Sequence, residues 1–157
     1  MATGNLTVET LTELVASKEV DTVIIGFTDM QGRLVGKRAS ARLFLDELAE
    51  HGAECCNYLL AVDVENNTVD GYAISSWERG YGDMAMMPDL DTLRHTPWLP
   101  GTVMVTADLT WLDGTPVNPD PRQRAQPPSR SRGAAPDRHR KALPAVGCED
   151  TRASASR

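Results

Sequence analysis

The residues of this chain that could do chemistry are concentrated in one loop. Between positions 63 and 83 the sequence contains turn-forming pairs such as Asp70-Gly71 and large apolar side chains that include Tyr72 and Trp77. Loops of about 20 residues without periodicity are usually functional or disordered. The aromatic side chains argue against disorder, because a solvated linker has little use for them. We therefore expect the loop to pack on another surface, with Asp70 either a turn residue or a functional carboxylate.

Other chemistry-bearing side chains are scattered. His51, His95 and His139 are far apart, with no carboxylate or thiolate at metal-ligand spacing, so we assign no metal to this chain. Two of the three cysteines, Cys55 and Cys56, are adjacent and form neither a CxxC motif nor a pairing framework. They are expected to be reduced thiols in or near the core.

Two further groups have a simpler structural interpretation. Lys37 and Arg38 could bind phosphate, but at the end of a hairpin strand in an acidic domain they are expected to be solvated or salt-bridged. Met84, Met86 and Met87 follow the pattern of a half-buried strand, which favours core packing over a ligand role.

The apolar pattern predicts the elements that must position the loop. Residues 7–18 have the spacing of an amphipathic helix, and a second helix is expected over 41–51 with Ser40 as its N-cap and Gly52 at its C-terminal end. Strands are predicted at 21–27 and 33–39, joined by a turn at 29–32, and at 55–62, 84–87 and 102–111. This order of helices and strands indicates an α+β domain.

Charge divides the chain into two parts. Residues 1–121 contain 7 Lys and Arg against 19 Asp and Glu, a balance of −12, whereas Arg122–Arg157 has 9 against 3, a balance of +6. A basic tail raises the alternative of nucleic-acid binding. The tail has no aromatic residue for base stacking and no known binding motif, and both observations argue against nucleic-acid binding. No apolar stretch approaches the roughly 20 residues that span a membrane, so a cytoplasmic location is expected.

Three segments in order carry a resemblance to a known family: Gly32 to Arg38, Val69 to Trp77, and Gly82 to Asp89. Together with the closing strand Asp108 to Trp111 and the segment Asp120 to Gln123, they resemble the N-terminal β-grasp domain of glutamine synthetases over about two thirds of the chain. The sequences of Asn57 to Leu60 and Ile74 to Trp77 are most similar to those of actinobacterial γ-glutamylamine ligases of the ethanolamide and polyamine type.

The resemblance implies ATP-dependent amide formation. In such enzymes glutamate is phosphorylated on its side-chain carboxylate with the help of Mg²⁺ or Mn²⁺, and ammonia or an amine displaces the phosphate. The resemblance places the metal ligands and most ATP contacts in a larger C-terminal domain, so this chain is expected to hold no cofactor and to be inactive alone. The expected partners are further copies of the chain or full-length subunits of the glutamine synthetase type, because the β-grasp domain covers the active site of a neighbour in a ring.

The resemblance also assigns roles in the loop. Asp70 matches the family aspartate near the ammonium site, where a carboxylate attracts the cation and helps it lose a proton. Trp77 is either a contact near the neighbour's nucleotide or a local hydrophobic anchor. Tyr72 departs from the Gly-Ser-Ser pattern of ammonia-using enzymes, which favours a larger organic amine as substrate.

The resulting organisation is an N-terminal helix region at 1–16, the β-grasp domain at 17–121 and a disordered Arg, Ala and Pro-rich tail at 122–157. Because the resemblance stops just after Gln123, we interpret the tail as out-of-frame translation of a longer ligase gene. The alternative function is a free-standing β-grasp interaction module that binds full-length paralogues.

Overall fold

The computed structural model describes residues 6–75 and 80–125. Its strands are β1 (Thr22–Thr28), β2 (Leu34–Ser40), β3 (Ala53–Cys56), β4 (Asp83–His95) and β5 (Thr102–Trp111). They form one five-stranded sheet in the order β2-β1-β5-β4-β3. β1 is parallel to β5, and the other neighbours are antiparallel. The predicted α+β fold of β-grasp type is confirmed.

Helix α1 (Val8–Ala16) packs on this sheet at the start of the described chain. The side chain of Thr7 caps it by accepting a hydrogen bond from the Thr10 N–H at 3.2 Å. Its apolar face buries Leu11 completely. No helix among the described residues is long and apolar enough to span a membrane.

The predicted second helix is present, with an irregular middle. It consists of Ala41–Leu43, the π-helical segment Phe44–Leu48 and Ala49–His51, which together we call α2. The Ser40 side chain accepts from the Leu43 N–H at 3.2 Å, as an N-cap should. Gly52 ends the helix with a φ of 75°, and a side chain there would collide with the Met86 carbonyl at 2.7 Å. The π-helical turn was not foreseen.

β1 and β2 form the predicted hairpin, one residue further along the chain than expected. Thr22 lies opposite Ser40 and Thr28 opposite Leu34. β1 is an inner strand and fully buries Val23. β2 is an edge strand and is mostly exposed.

The expected strand at 55–62 was wrong in its bounds. The strand is Ala53–Cys56, and the chain then leaves the sheet as a 3-10 helix, Asn57–Leu60. Leu60 and Val62 are nevertheless buried. The apolar run therefore reflected burial without strand pairing, which periodicity alone does not distinguish.

The expected short strand at 84–87 was also wrong, because β4 has 13 residues. Pro88 lies inside this strand, although proline has no N–H to donate to a ladder. β3 pairs with β4 only as far as Met86, so the missing N–H of Pro88 leaves no gap in that ladder. Met84 and Met86 are fully buried, which confirms their core role.

The sheet curls enough to bring its two edges together. The Lys37 ammonium on β2 donates to the Glu54 carbonyl on β3 at 2.5 Å, although these strands are at opposite ends of the strand order. Lys37 thus bonds to a main-chain carbonyl, whereas solvation or a salt bridge had been expected. Arg38 is exposed.

The two described cysteines are free thiols, as expected, and should differ in reactivity. Cys55 is 6% exposed, and burial raises its pKa to about 11. Only the thiolate reacts with iodoacetamide. Raising the pKa from 9.0 to about 11 lowers the thiolate fraction at pH 8 about a hundredfold. Cys56 is more exposed. We expect Cys56 to be alkylated far sooner than Cys55, as measured by tandem mass spectrometry; equal rates would contradict this.

The folded part of the chain continues past the expected boundary at position 121. Pro121–Ala125 form a short helix, α3, and Arg122 is ion-paired with the sheet. The first four residues of the expected tail therefore have defined structure. Residues 126–157, to which the rest of that prediction applies, lie outside the described residues.

Candidate functional site

The start of the candidate loop is held by the β1–β2 hairpin. Arg33 donates from Nη1 to the Val64 carbonyl at 2.7 Å and from Nη2 to the Asp63 carbonyl at 3.1 Å. Gln31 donates from Nε2 to the Val62 carbonyl at 2.6 Å. The hairpin turn and the start of the loop therefore form one unit.

A buried carboxylate orients Arg33. Asp29 is 1% exposed, and its Oδ2 is 2.6 Å from Arg33 Nε. Its Oδ1 accepts from the backbone N–H groups of Gln31 at 3.0 Å and Arg33 at 2.8 Å. A carboxylate with these partners is stable in a dry site, because each oxygen is hydrogen-bonded. Asp29 thus connects the turn to the guanidinium that holds the loop.

The next part of the loop folds back on itself around Asp63. Oδ1 of Asp63 accepts from the backbone N–H groups of Glu65 at 2.8 Å and Asn67 at 2.9 Å. The hydrogen bonds from Asn67 are the main reason that the pKa of Asp63 lies below its usual value. The Val69 N–H then bonds to the Ala61 carbonyl at 2.9 Å. This bond closes the turn immediately before Asp70.

The structure places two of the three predicted site residues on one exposed segment. Asp70 is exposed and precedes Gly71, which has a φ of 92° and open space around it. Tyr72 is 40% exposed. Trp77 lies outside the described residues. The roles of all three stay predictions.

The far end of the loop is held by Asn57, which is 4% exposed. Its Nδ2 donates to the Ile74 carbonyl at 2.9 Å, and its Oδ1 accepts from the Gly82 N–H at 3.1 Å. The neighbouring Tyr58 ring meets the Tyr81 ring edge to face, with centroids 5.8 Å apart. The described parts of the loop, 61–75 and 80–82, are thus anchored at both ends, with Asp70 between the two anchors.

A second charged cluster lies where the chain leaves the sheet. Arg122 Nη2 is 2.5 Å from Asp89 Oδ2 on β4, and Nη1 is ion-paired with Asp108 on β5. Burial alone would lower the pKa of Arg122, but the bonds to both carboxylates outweigh it and raise that pKa. Burial raises the pKa of Asp108, and Arg122 offsets only part of this effect. The cluster therefore depends on the guanidinium remaining in place.

Asp120 and Gln123 fasten the same exit segment to β5. Asp120 is fully buried, and its two oxygens accept from the Leu109 N–H and the Arg122 N–H, both at 2.9 Å. Gln123 Nε2 donates to the Leu109 carbonyl at 2.5 Å. Polar side chains thus bond to the backbone of β5 beyond Thr106, where its pairing with β1 has ended.

Sequence reasoning did not foresee the anchoring roles of Arg33, Asn57 and Arg122. Asn57 was detectable as an amide in an otherwise apolar run, since a buried polar side chain needs specific partners. Arg33 and Arg122 lie in the segments that carried the family resemblance, but their contacts were not predicted. Within the described part of the chain, no group of three or more His, Cys, Asp or Glu residues could hold a metal ion.

Two curated proteins are similar to this chain over most of its described part. It is 63% identical over 121 residues to the gamma-glutamylethanolamide synthetase of Streptomyces coelicolor, covering 77% of this chain and 26% of that protein. It is 36% identical over 110 residues to a glutamate–isopropylamine ligase of a Pseudomonas species, covering 70% and 24%. The chain spans about a quarter of the length of these relatives. No family model matches the chain.

Solved structures agree on the fold. The ligand-free structure of GmaS matches with a TM-score of 0.53 at 26% identity, covering 71% of this chain and 23% of that one. A glutamine synthase homologue matches with a TM-score of 0.55 at 22% identity, covering 66% and 24%. The latter likeness supports the fold alone.

Proposed function

Because this chain carries the N-terminal β-grasp domain of the glutamine synthetase family, we propose that it supplies this domain to an ATP-dependent ligase that joins glutamate to an amine. The observation that carries the proposal is the 63% identity over 121 residues to a gamma-glutamylethanolamide synthetase. The second relative is likewise a ligase of glutamate and a small organic amine by its name.

Asp70 is the residue of this chain that acts in the proposed reaction. Its carboxylate attracts the ammonium form of the amine and favours loss of a proton, which produces the nucleophile. An exposed carboxylate on a loop anchored at both ends suits this role, because it faces outward while its backbone is held. Such a residue completes a site on a neighbouring subunit, so an assembly with further ligase subunits is part of the proposal.

Tyr72 is proposed to contribute to the choice of amine. It is two residues from Asp70 and 40% exposed, so its ring is available to an organic substituent on the amine. A phenol ring at this place favours a small organic amine over ammonia.

ATP and the divalent metal are assigned to no residue described here. The described residues do not fit a divalent metal, since no three suitable ligands come together. A cytoplasmic location belongs to the proposal because the reaction consumes ATP.

A domain exchange tests the proposed function. Residues 1–125 of this chain would replace the matching region of the Streptomyces coelicolor gamma-glutamylethanolamide synthetase. We expect the chimera to release phosphate from ATP only when glutamate and ethanolamine are both present. Assays with isopropylamine and ammonia then rank the amines. A chimera that assembles like its parent but shows no turnover with any amine would contradict the proposal.

A further inference from the structure

Asn57 lies at the point where the chain leaves the sheet. β3 ends at Cys56, which is opposite Asp83 of β4. The backbone N–H of Asn57 donates to the Gly82 carbonyl at 2.9 Å, and its side-chain Oδ1 accepts from the Gly82 N–H at 3.1 Å. One residue thereby satisfies both backbone groups of Gly82.

The other end of the Asn57 amide reaches across the loop. Nδ2 donates to the Ile74 carbonyl at 2.9 Å, so the side chain joins positions 74 and 82. The side chain is nearly dry, and loss of the amide would leave polar backbone groups without partners. An apolar residue of the same size fills the space but makes neither bond.

From this geometry we propose that Asn57 is a positioning residue for the amine site. It acts on Asp70 and Tyr72 through Ile74 and Gly82, without touching the amine itself. We call the two side-chain hydrogen bonds of Asn57, to Ile74 and to Gly82, the clamp. The catalytic part of this inference rests on the proposed function, whereas the clamp does not.

The second anchor makes the effect local. The Arg33 bonds to Asp63 and Val64 hold the start of the loop independently of Asn57. Removing the Asn57 amide therefore releases the Ile74 carbonyl and the Gly82 N–H while the core and the hairpin stay intact. A local opening of this kind differs measurably from global unfolding.

Hydrogen exchange provides a specific probe of this opening, because the Gly82 N–H donates to Asn57 Oδ1. In the full chain, Asn57→Ala is expected to speed exchange of the Gly82 amide about tenfold, as loss of two ordinary hydrogen bonds predicts. Exchange of the Arg33 N–H, which donates to Asp29, and of the Leu109 N–H, which donates to Asp120, should not change.

Two further variants sharpen this comparison. Asn57→Leu fills the space but makes neither bond, so it should speed exchange at Gly82 as much as Asn57→Ala does. Asn118→Ala removes an exposed amide and should match the unsubstituted chain. Unchanged exchange at Gly82, or an equal rise at all three amides, would overturn the clamp.

The chimera tests the catalytic consequence. Asn57→Ala is expected to raise the KM for ethanolamine at least fivefold while the KM values for glutamate and ATP stay within twofold, and Asn57→Leu, which fills the space without the bonds, should show the same pattern. An unchanged KM for the amine, or an equal change for all three substrates, would overturn the positioning role. If the unsubstituted chimera has no turnover, the proposed function fails, and hydrogen exchange at Gly82 still decides the clamp.

Discussion

Replacing Arg122 with alanine is expected to lower the free energy of unfolding by about 2 to 3 kcal/mol. The change removes the guanidinium that pairs with two carboxylates, Asp89 with a side chain 10% exposed and Asp108 with one 27% exposed. Removing one partner of a fully buried pair costs more than this, and partial exposure reduces the effect. Urea unfolding of the full chain followed by circular dichroism measures it.

Arg124 supplies the matched control for this experiment. It lies two residues further along α3 and is exposed, so Arg124→Ala should change the stability by less than about 0.5 kcal/mol. Arg122→Lys keeps the charge but not the forked geometry that reaches both carboxylates, and should fall between the two. Equal losses for the alanine variants of Arg122 and Arg124 would refute the role of this cluster.

Asp70→Asn in the chimera is expected to lower kcat/KM for ethanolamine about a hundredfold. Asparagine preserves the size of the side chain and removes the charge that attracts the ammonium group. The loop should remain folded, because it is anchored by Arg33 and Asn57 and not by Asp70. Steady-state phosphate release at saturating glutamate and ATP provides the measurement.

The control for Asp70 is taken from the same loop. Glu65 is exposed, and Glu65→Gln removes an equal charge five residues away. We expect this variant to keep kcat/KM within threefold of the unsubstituted chimera. If Asp70→Asn also stays within threefold, Asp70 is a turn residue and the proposed deprotonation role fails.

Much of the fold was predictable because its causes are local. The hairpin, α2 and β5 each depend on apolar spacing and on caps or turns within a few residues. The bounds of β5 agree with those expected, and β1 and β2 differ by one residue. The candidate loop was also found locally, from its length, its turn residues and its aromatic side chains. The particular role of Asp70 came from family resemblance.

The sequence by itself therefore determined the α+β pattern, the caps of α2 and the loop that carries Asp70 and Tyr72. Only the tertiary structure decided where β3 ends, how far β4 extends and what holds the loop. Arg33 meets a carbonyl 31 positions away, and Arg122 meets a carboxylate 33 positions away. Contacts at such separations depend on how the curled sheet brings distant segments together, and the spacing of neighbouring residues contains no information about them.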